Sequence, residues 1–352
     1  MAHQSLYRAY RPQTFAEVAG QEQVTKPLEE AVASGKVGHA YLFAGSRGLG
    51  KTTVARILAR ELGCTETDLV EVDAASNNSV EDIRALTEGV YTLPFESPYK
   101  VYILDEVHML SKSAWNAFLK TLEEPPAHAI FILATTELDR VPETVQSRCQ
   151  VFEFKKPTRH GLAEVARAVA KLEGYTLEPD AAELIAMLAS GSYRDALSVL
   201  QKVLGSSSDP STALGASKKL SRGEVEKVTG APRREQVHAL ISALASGERG
   251  AALAAVESAA NASVDIALYL ELVLEALRSA LLIQYAPDLH GALKAELGTE
   301  EYATLEKYVG STRPNITHQT LRAFLTAAER IRYAPIPALP LELAILELFS
   351  EE

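Results

Sequence analysis

Residues 41–53 read YLFAGSRGLGKTT, and no other run in the chain restricts the possible folds as tightly. An apolar run of strand length leads into Gly45, and Val54, Ile57 and Leu58 continue beyond it with helical periodicity. The G-x-x-x-x-G-K-T spacing therefore sits between a strand and a helix, which is the context a phosphate-binding loop requires. Glycines let backbone N–H groups converge on a polyphosphate, and the helix N-terminus adds positive potential. Lys51 then reaches the outer phosphates, and the Thr52 hydroxyl is a hard-oxygen ligand suited to Mg²⁺. Gly45, Ser46, Gly48, Leu49, Gly50, Lys51, Thr52 and Thr53 are the candidate triphosphate contacts. A glycine-rich turn that only happens to fit the spacing is the alternative.

A second element narrows the choice. Val101, Tyr102, Ile103 and Leu104 read as a buried parallel strand, with Asp105 and Glu106 at its C-terminal end, where open α/β sheets place ligands. Asp105 would hold the metal through water and Glu106 would polarise the attacking water; a solvated acidic turn is the bland reading. Further strands are expected over 40–44, 68–73 and 130–134, and helices over 21–34, 51–62, 79–88 and 111–122. Ser79 and Asp82 stand at capping-box spacing. Strands alternating with helices predict an α/β fold, a parallel doubly wound sheet with helices on both faces.

At 352 residues and 47% hydrophobic, the chain can bury more than one core. Its formal net charge of −11 argues against an autonomous nucleic-acid binder, because phosphate contacts need local positive potential. Any such contact must come from a small basic surface or from an assembly. The two cysteines, Cys64 and Cys149, are too far apart in sequence for an ordinary disulfide framework or zinc site, which suits a reducing compartment. No apolar signal region opens the chain, and the apolar stretch 266–283 is interrupted by Glu271, Glu275 and Arg278, so a cytoplasmic location without a membrane span is expected.

Four further features remain open on the residues alone. The aromatic and basic mixture between Leu6 and Gly20 either packs over a core edge or contacts a base and ribose, with Tyr10, Arg11, Pro12 and Val18 as candidates. Thr136, after strand 130–134, either holds the lytic water or caps the strand end. Arg148 by itself reads as a solvated cation, and Cys149 as core filler. Arg194 falls in the first turn of a helix, where it opposes the dipole and calls for a partner such as Asp195 or a phosphate. Residues 151–205 are expected to be helical. A linker is expected over 206–223, and an Ala- and Leu-rich helical domain from 224 to 352, with glycine stops at Gly247, Gly250, Gly291 and Gly298.

Taken together, Arg11-Pro12-Gln13-Thr14-Phe15, the loop 45–52, Asp105-Glu106-Val107-His108-Met109-Leu110, Lys120-Thr121-Leu122-Glu123-Glu124-Pro125-Pro126, Ala134-Thr135-Thr136, Ser147-Arg148-Cys149 and the run from Gly191 to Leu197 resemble a known family. It is that of the bacterial clamp-loader motor subunits, gamma/tau of the DNA polymerase III holoenzyme, which are AAA+ ATPases. The resemblance is dense over the first two thirds and architectural over the rest.

The resemblance implies an AAA+ ATPase core over 1–155, a helical lid over 156–205 and an all-α collar over 224–352. It implies ATP and Mg²⁺ as ligands, with Thr52 and Asp105 at the metal. Lys51, Glu106, sensor 1 at Thr136, the arginine finger at Arg148 and sensor 2 at Arg194 would be catalytic, and Arg148 would enter the neighbouring subunit's site. Implied partners are further copies of the chain, delta-like and delta-prime-like subunits, the sliding clamp and primer-template DNA, in the cytoplasm at the replisome. The sequence departs from the family pattern in two places. Cys64-Thr65-Glu66-Thr67-Asp68 passes directly into the next strand where relatives carry a four-cysteine module, so no zinc is expected, and the chain stops at Glu352, which reads as a gamma-like form without tail contacts to polymerase and helicase. Asn77, Asn78 and Ser79, where relatives often show basic residues, could contact a DNA phosphate together with Ser111 and Lys112. The competing readings are a structural ring subunit that does not hydrolyse ATP, a related AAA+ motor such as one for branch migration, and, least favoured, a metabolite kinase.

Overall fold

The computed structural model describes residues 4–206, 218–262, 264–309 and 316–349, and divides into two compact units, Met1–Arg222 and Gly223–Glu352. In the first unit, after the short helix α1 (Leu6–Ala9), helix and strand alternate through α2 (Glu22–Ala33), β1 (Ala40–Ala44), α3 (Lys51–Glu61), β2 (Leu69–Asp73), α4 (Val80–Val90), β3 (Lys100–Asp105), α5 (Lys112–Glu123), β4 (Ala129–Thr135), α6 (Glu143–Gln146) and β5 (Gln150–Glu153). The five strands form one parallel sheet in the order β2-β3-β4-β1-β5.

Every residue of β1 and β4 is buried, which explains why these central strands read as unbroken apolar runs. Alternate side chains then serve two separate cores. Tyr41, Phe43, Ile103 and Ile132 pack under Leu28 of α2 and Val54 and Leu58 of α3, whereas Leu42, Leu104, Phe131 and Leu133 pack under Ile83 of α4 and Trp115 and Phe118 of α5. Cys64 belongs to the first core and Cys149 to the second, so the sheet lies between them. Because all strands are parallel, the ends of β1, β3 and β4 bring Gly45, Asp105 and Thr135 to a single sheet edge. The expected α/β doubly wound architecture is therefore present. So is the capping box at α4, where the Ser79 hydroxyl accepts from Asp82 N and the Asp82 carboxylate accepts from Ser79 N.

The remainder of this unit holds α7 (Arg159–Leu172), β6 (Tyr175–Leu177), α8 (Pro179–Leu188), α9 (Tyr193–Ser206) and β7 (Lys218–Leu220), with β6 and β7 paired in parallel. The expectation of helix throughout 151–205 is thus corrected at β5 and β6. Both strands are short, and β5 lies on the sheet edge with three of its four residues exposed, so neither carries an apolar run that distinguishes it from loop. Within the expected 206–223 linker, residues 207–217 lie outside the described residues, 218–220 form β7, and 222 opens a helix.

The second unit is helical: α10 (Arg222–Thr229) across the boundary, then α11 (Arg234–Ser246), α12 (Arg249–Asn261), α13 (Ile266–Tyr285), α14 (His290–Leu297), α15 (Thr299–Val309), α16 (His318–Ile331) and α17 (Leu339–Leu348). Helix α13 is buried on most sides, through Tyr269, Leu270, Val273, Leu277 and Ala280, while Glu271 and Arg278 stay exposed. Among the described residues no helix is long and apolar enough to cross a membrane. Gly247 stops α11 in the left-handed conformation and Gly298 ends α14, as expected. Gly250 and Gly291 instead lie in the first turns of α12 and α14, where the helix absorbs them.

Candidate functional site

At the carboxyl edge of the sheet lies a cavity of about 640 Å³. Its walls come from the N-terminal segment, the loop between β1 and α3 with the start of α3, the end of β3, and the helices α7 and α9. Of the residues singled out in the sequence, Tyr10, Arg11, Pro12, Val18, Gly48, Leu49, Gly50, Lys51, Thr52, Thr53, Asp105, Glu106 and Arg194 line it. Gly45 and Ser46 stand behind the wall, where their carbonyl oxygens accept from Lys51 Nζ at 2.6 and 2.9 Å.

The loop conformation depends on glycine at several positions, and the requirement is sharpest at Gly48. Its φ is 78°, and a Cβ added there would meet Ser192 Oγ at 2.0 Å, with Tyr193 N donating to the Gly48 carbonyl at 3.1 Å. The Ser192 hydroxyl cannot move aside freely, because it accepts from Asp195 N in the first turn of α9. Gly48→Ala is therefore expected to push α9 off the loop and weaken nucleotide binding by about tenfold or more, since the left-handed backbone alone costs about 1–2 kcal/mol. Titration of the full chain with a fluorescent nucleotide checks it.

Lys51 is buried, with 6% of its surface exposed. That burial lowers its ammonium pKa; the carboxylates of Glu106 and Asp105 oppose the shift, and Arg194 adds to it. Two of the three ammonium donors are engaged by the loop carbonyls, leaving one for an anionic oxygen in the cavity. A bound polyphosphate would favour the charged form, so nucleotide affinity is expected to fall as pH rises through the lowered pKa.

Thr52 Oγ1 donates to Asp105 Oδ2 at 2.8 Å. A hydroxyl and a carboxylate in contact beside a phosphate loop supply two hard oxygens. Most of an octahedron is then left to phosphate oxygens and water, the way Mg²⁺ is usually held. The residues present therefore fit Mg²⁺ with a nucleoside triphosphate. Next to Asp105, Glu106 adopts a left-handed backbone at φ 51°, one of two non-glycine residues with positive φ among those described. Its Oε2 accepts from Thr136 Oγ1 at 3.0 Å. Thr136 itself lies outside the cavity wall and reaches the site through that carboxylate.

Arg148 does not line this cavity. It follows α6, donates from Nη1 to Thr144 O at 2.5 Å and pairs through Nη2 with Glu123, the residue that ends α5. Arg194 places its guanidinium 5.5 Å from the centre of the Tyr7 ring, so an aromatic face and not Asp195 offsets its position at the start of α9.

The N-terminal segment both packs and lines the cavity. Arg11 Nε donates to Thr53 Oγ1 at 3.1 Å, Arg60 Nη1 to Gln13 O at 2.9 Å, Leu6 N to Gln201 Oε1 at 3.0 Å, and Tyr10 Oη to Glu173 Oε1 at 2.6 Å. It therefore fastens α3 to α7 and α9 across the opening. Sequence reasoning missed the apolar wall of Val165, Ala168, Val169 and Leu172, which is one face of α7 and carries no polar signature. At the other end of the sheet edge, Ser111 N donates to Asn78 O at 3.3 Å, which brings the starts of α4 and α5 together. The Ser79 and Ser111 hydroxyls there are engaged as helix caps, and Asn77 Nδ2 donates to Asp73 O.

Two family models match the chain. One, described as DNA polymerase III, delta subunit, matches residues 20–78 and 67–158; the other, DNA polymerase III subunits gamma and tau domain III, matches 220–352. DNA polymerase III subunit tau of Bacillus subtilis is 38% identical over 330 residues, covering 88% of this chain and 57% of that protein. The tau subunit of Escherichia coli is 36% identical, covering 99% of this chain and 56% of its own length, and the gamma/tau subunit of Mycoplasma genitalium is 40% identical over 267 residues, 70% and 43% respectively. The chain thus spans about half the length of these relatives. Among solved structures, the Thermotoga maritima RuvB Holliday junction branch migration motor matches with a TM-score of 0.54 over 89% of this chain and 97% of that one. At 22% identity this is a likeness of fold.

Proposed function

The chain belongs to the DNA polymerase III gamma/tau family and has the AAA+ fold, and on that premise we propose that it is an ATP-hydrolysing motor subunit of a clamp loader, acting in the cytoplasm at the replisome. The observation that carries this reading is the convergence of Lys51, Thr52, Asp105 and Glu106 on one cavity closed by the N-terminal segment and Arg194. In the proposed arrangement residues 1–155 form the ATPase core, 156–205 the lid and 224–352 a collar that holds subunits together. Further copies of the chain and delta-like and delta-prime-like subunits would complete a ring that opens a sliding clamp and places it on primer-template DNA.

Each residue has a defined task. The backbone N–H groups of the loop and the Lys51 ammonium bind the outer phosphates, and Thr52 and Asp105 orient the metal. Held by Thr52 and Asp105, Mg²⁺ would supply neutralisation of the negative charge that develops on the phosphates. Glu106 polarises the attacking water, and the Thr136 hydroxyl fixes the carboxylate that does so. Arg194 adds positive charge from α9, so phosphate contacts and the position of that helix become linked. Arg148, which lies outside its own chain's cavity, supplies the guanidinium for the site of a neighbour.

The competing reading, a ring subunit that lends Arg148 without hydrolysing ATP, would not need an engaged Thr52–Asp105 pair or a Glu106 held by Thr136. The two are separated by ATP hydrolysis in the assembled protein, with one control for nucleotide binding, Lys51→Ala. That substitution removes a charge-assisted hydrogen bond worth about 1.5–3 kcal/mol, so calorimetry is expected to show Mg-ATP binding about 10- to 100-fold weaker. Absence of Mg-ATP binding by the unaltered chain would overturn the motor reading.

A further inference from the structure

His108 stands two residues after Glu106, and its imidazole is enclosed, with only 7% of the side chain exposed. Three groups surround the ring. Thr135 Oγ1 lies 3.2 Å from Nδ1, Glu106 Oε2 lies 3.5 Å from Nδ1, and Glu137 Oε1 lies 3.4 Å from Nε2. Thr135 is fully buried and its Oγ1 already accepts from Glu137 N at 3.0 Å, so its own proton is available to Nδ1. With Thr135 donating to Nδ1, the ring proton is assigned to Nε2, where it faces the Glu137 carboxylate, and Glu106 Oε2 at 3.5 Å from Nδ1 is then a contact and not a hydrogen bond. Glu137 also pairs with Arg140 Nε at 2.9 Å. The turn 137–140 then runs directly into α6 and Arg148.

We propose that His108 is a positioning residue for Glu106: its imidazole fixes the Thr135–Thr136 strand end against the Glu106 carboxylate and ties that geometry to the turn 137–140, which leads to Arg148. The residue is suited to this task because a neutral imidazole accepts at one end and donates at the other, and an aliphatic side chain of the same size does neither. Without it, Thr135 loses its acceptor and Glu137 Oε1 its donor, both next to Thr136, whose hydroxyl holds Glu106. The consequence falls on the chemical step, since His108 is not part of the wall around the phosphate loop. This inference rests on the reading of Glu106 as the residue that polarises water.

The test uses the full chain in its reconstituted assembly, with His108→Ala, His108→Asn and His108→Gln compared by equilibrium Mg-ATP binding and single-turnover hydrolysis. His108→Ala is expected to bind Mg-ATP normally and hydrolyse it about 10- to 100-fold more slowly, the size of a small misplacement of a reacting group. His108→Asn, whose amide occupies the Nδ1 side, should recover most of that rate; His108→Gln, whose amide sits at the Nε2 end, should not. A normal rate for His108→Ala would overturn the proposal, as would an equal loss of binding and rate in all three variants. If His108→Ala does not fold, the Asn and Gln variants decide it: a faster Asn variant supports the proposal, and equal rates overturn it. Glu106→Gln run alongside keeps the two claims apart. A normal rate for it defeats the functional reading, whereas a dead Glu106→Gln beside a normal His108→Ala defeats only the inference about His108.

Discussion

Arg148→Ala is expected to lower ATP turnover of the assembled protein by about 10³- to 10⁵-fold, the range typical of an arginine supplied to a transferring phosphoryl group. The same substitution should leave the chain folded and its own Mg-ATP affinity unchanged. Both halves of this expectation come from geometry. Arg148 lies outside the cavity of its own chain, so it cannot contribute to nucleotide binding there. Its partner is Glu123, and the two side chains are 34% and 49% exposed; an ion pair that open to water contributes little to stability. The Glu123 carboxylate and the Thr144 carbonyl hold the guanidinium back against the end of α5 and against α6, contacts it would exchange for a neighbour's phosphate. Single-turnover hydrolysis in the assembly measures the loss, and undiminished turnover would refute a role in the neighbour's site.

Glu106→Gln is expected to reduce the hydrolytic step by about 10²- to 10⁴-fold, the usual contribution of a positioned general base. Mg-ATP binding should survive, because the glutamine amide oxygen still accepts from Thr136 and the Lys51 and Thr52 contacts are untouched. The position is marked independently by its backbone. A glutamate held at φ 51° and ψ 43° is in a conformation that costs a side-chain-bearing residue energy, and such strain persists only where the surroundings enforce it. Here β3 on one side and the hydrogen bond from Met109 N to the Glu106 carbonyl on the other impose it, and they aim the carboxylate at Thr136 and not along the strand. A variant that loses binding together with hydrolysis would mean that Glu106 serves the structure of the site and not the reaction.

The parts of the site that the sequence made legible are those whose chemistry is local. The loop 45–52, the Asp105-Glu106 pair at a strand end and the Ser79/Asp82 capping box each depend on residues within a few positions of one another, so spacing alone reveals them. The apolar runs of β1 and β4 were equally plain because both faces of those strands are covered. What stayed hidden depends on distant partners. Tyr10 meets Glu173 across 163 positions, and Arg194 meets the Tyr7 ring, so the N-terminal segment could not be assigned between packing and ligand contact, whereas in the structure it packs and lines the cavity at once. The edge strand β5 carried no pattern to find because most of it faces water. His108 was legible only as part of the motif from Asp105 to Leu110, since Thr135, Glu106 and Glu137 come around its ring only in the fold.

The central claim is that each catalytic unit is divided between two copies of the chain, one holding ATP and Glu106, the other reaching in with Arg148. Mixing measures this directly. Arg148→Ala and Glu106→Gln chains, each inactive when assembled alone, are co-assembled in equal amounts and ATP hydrolysis is followed. Recovery of a substantial fraction of unaltered turnover is predicted, because some junctions then join an intact Glu106 to an intact Arg148. A mixture that stays at the background of its two components, although sizing shows that the variants have assembled together, would contradict it.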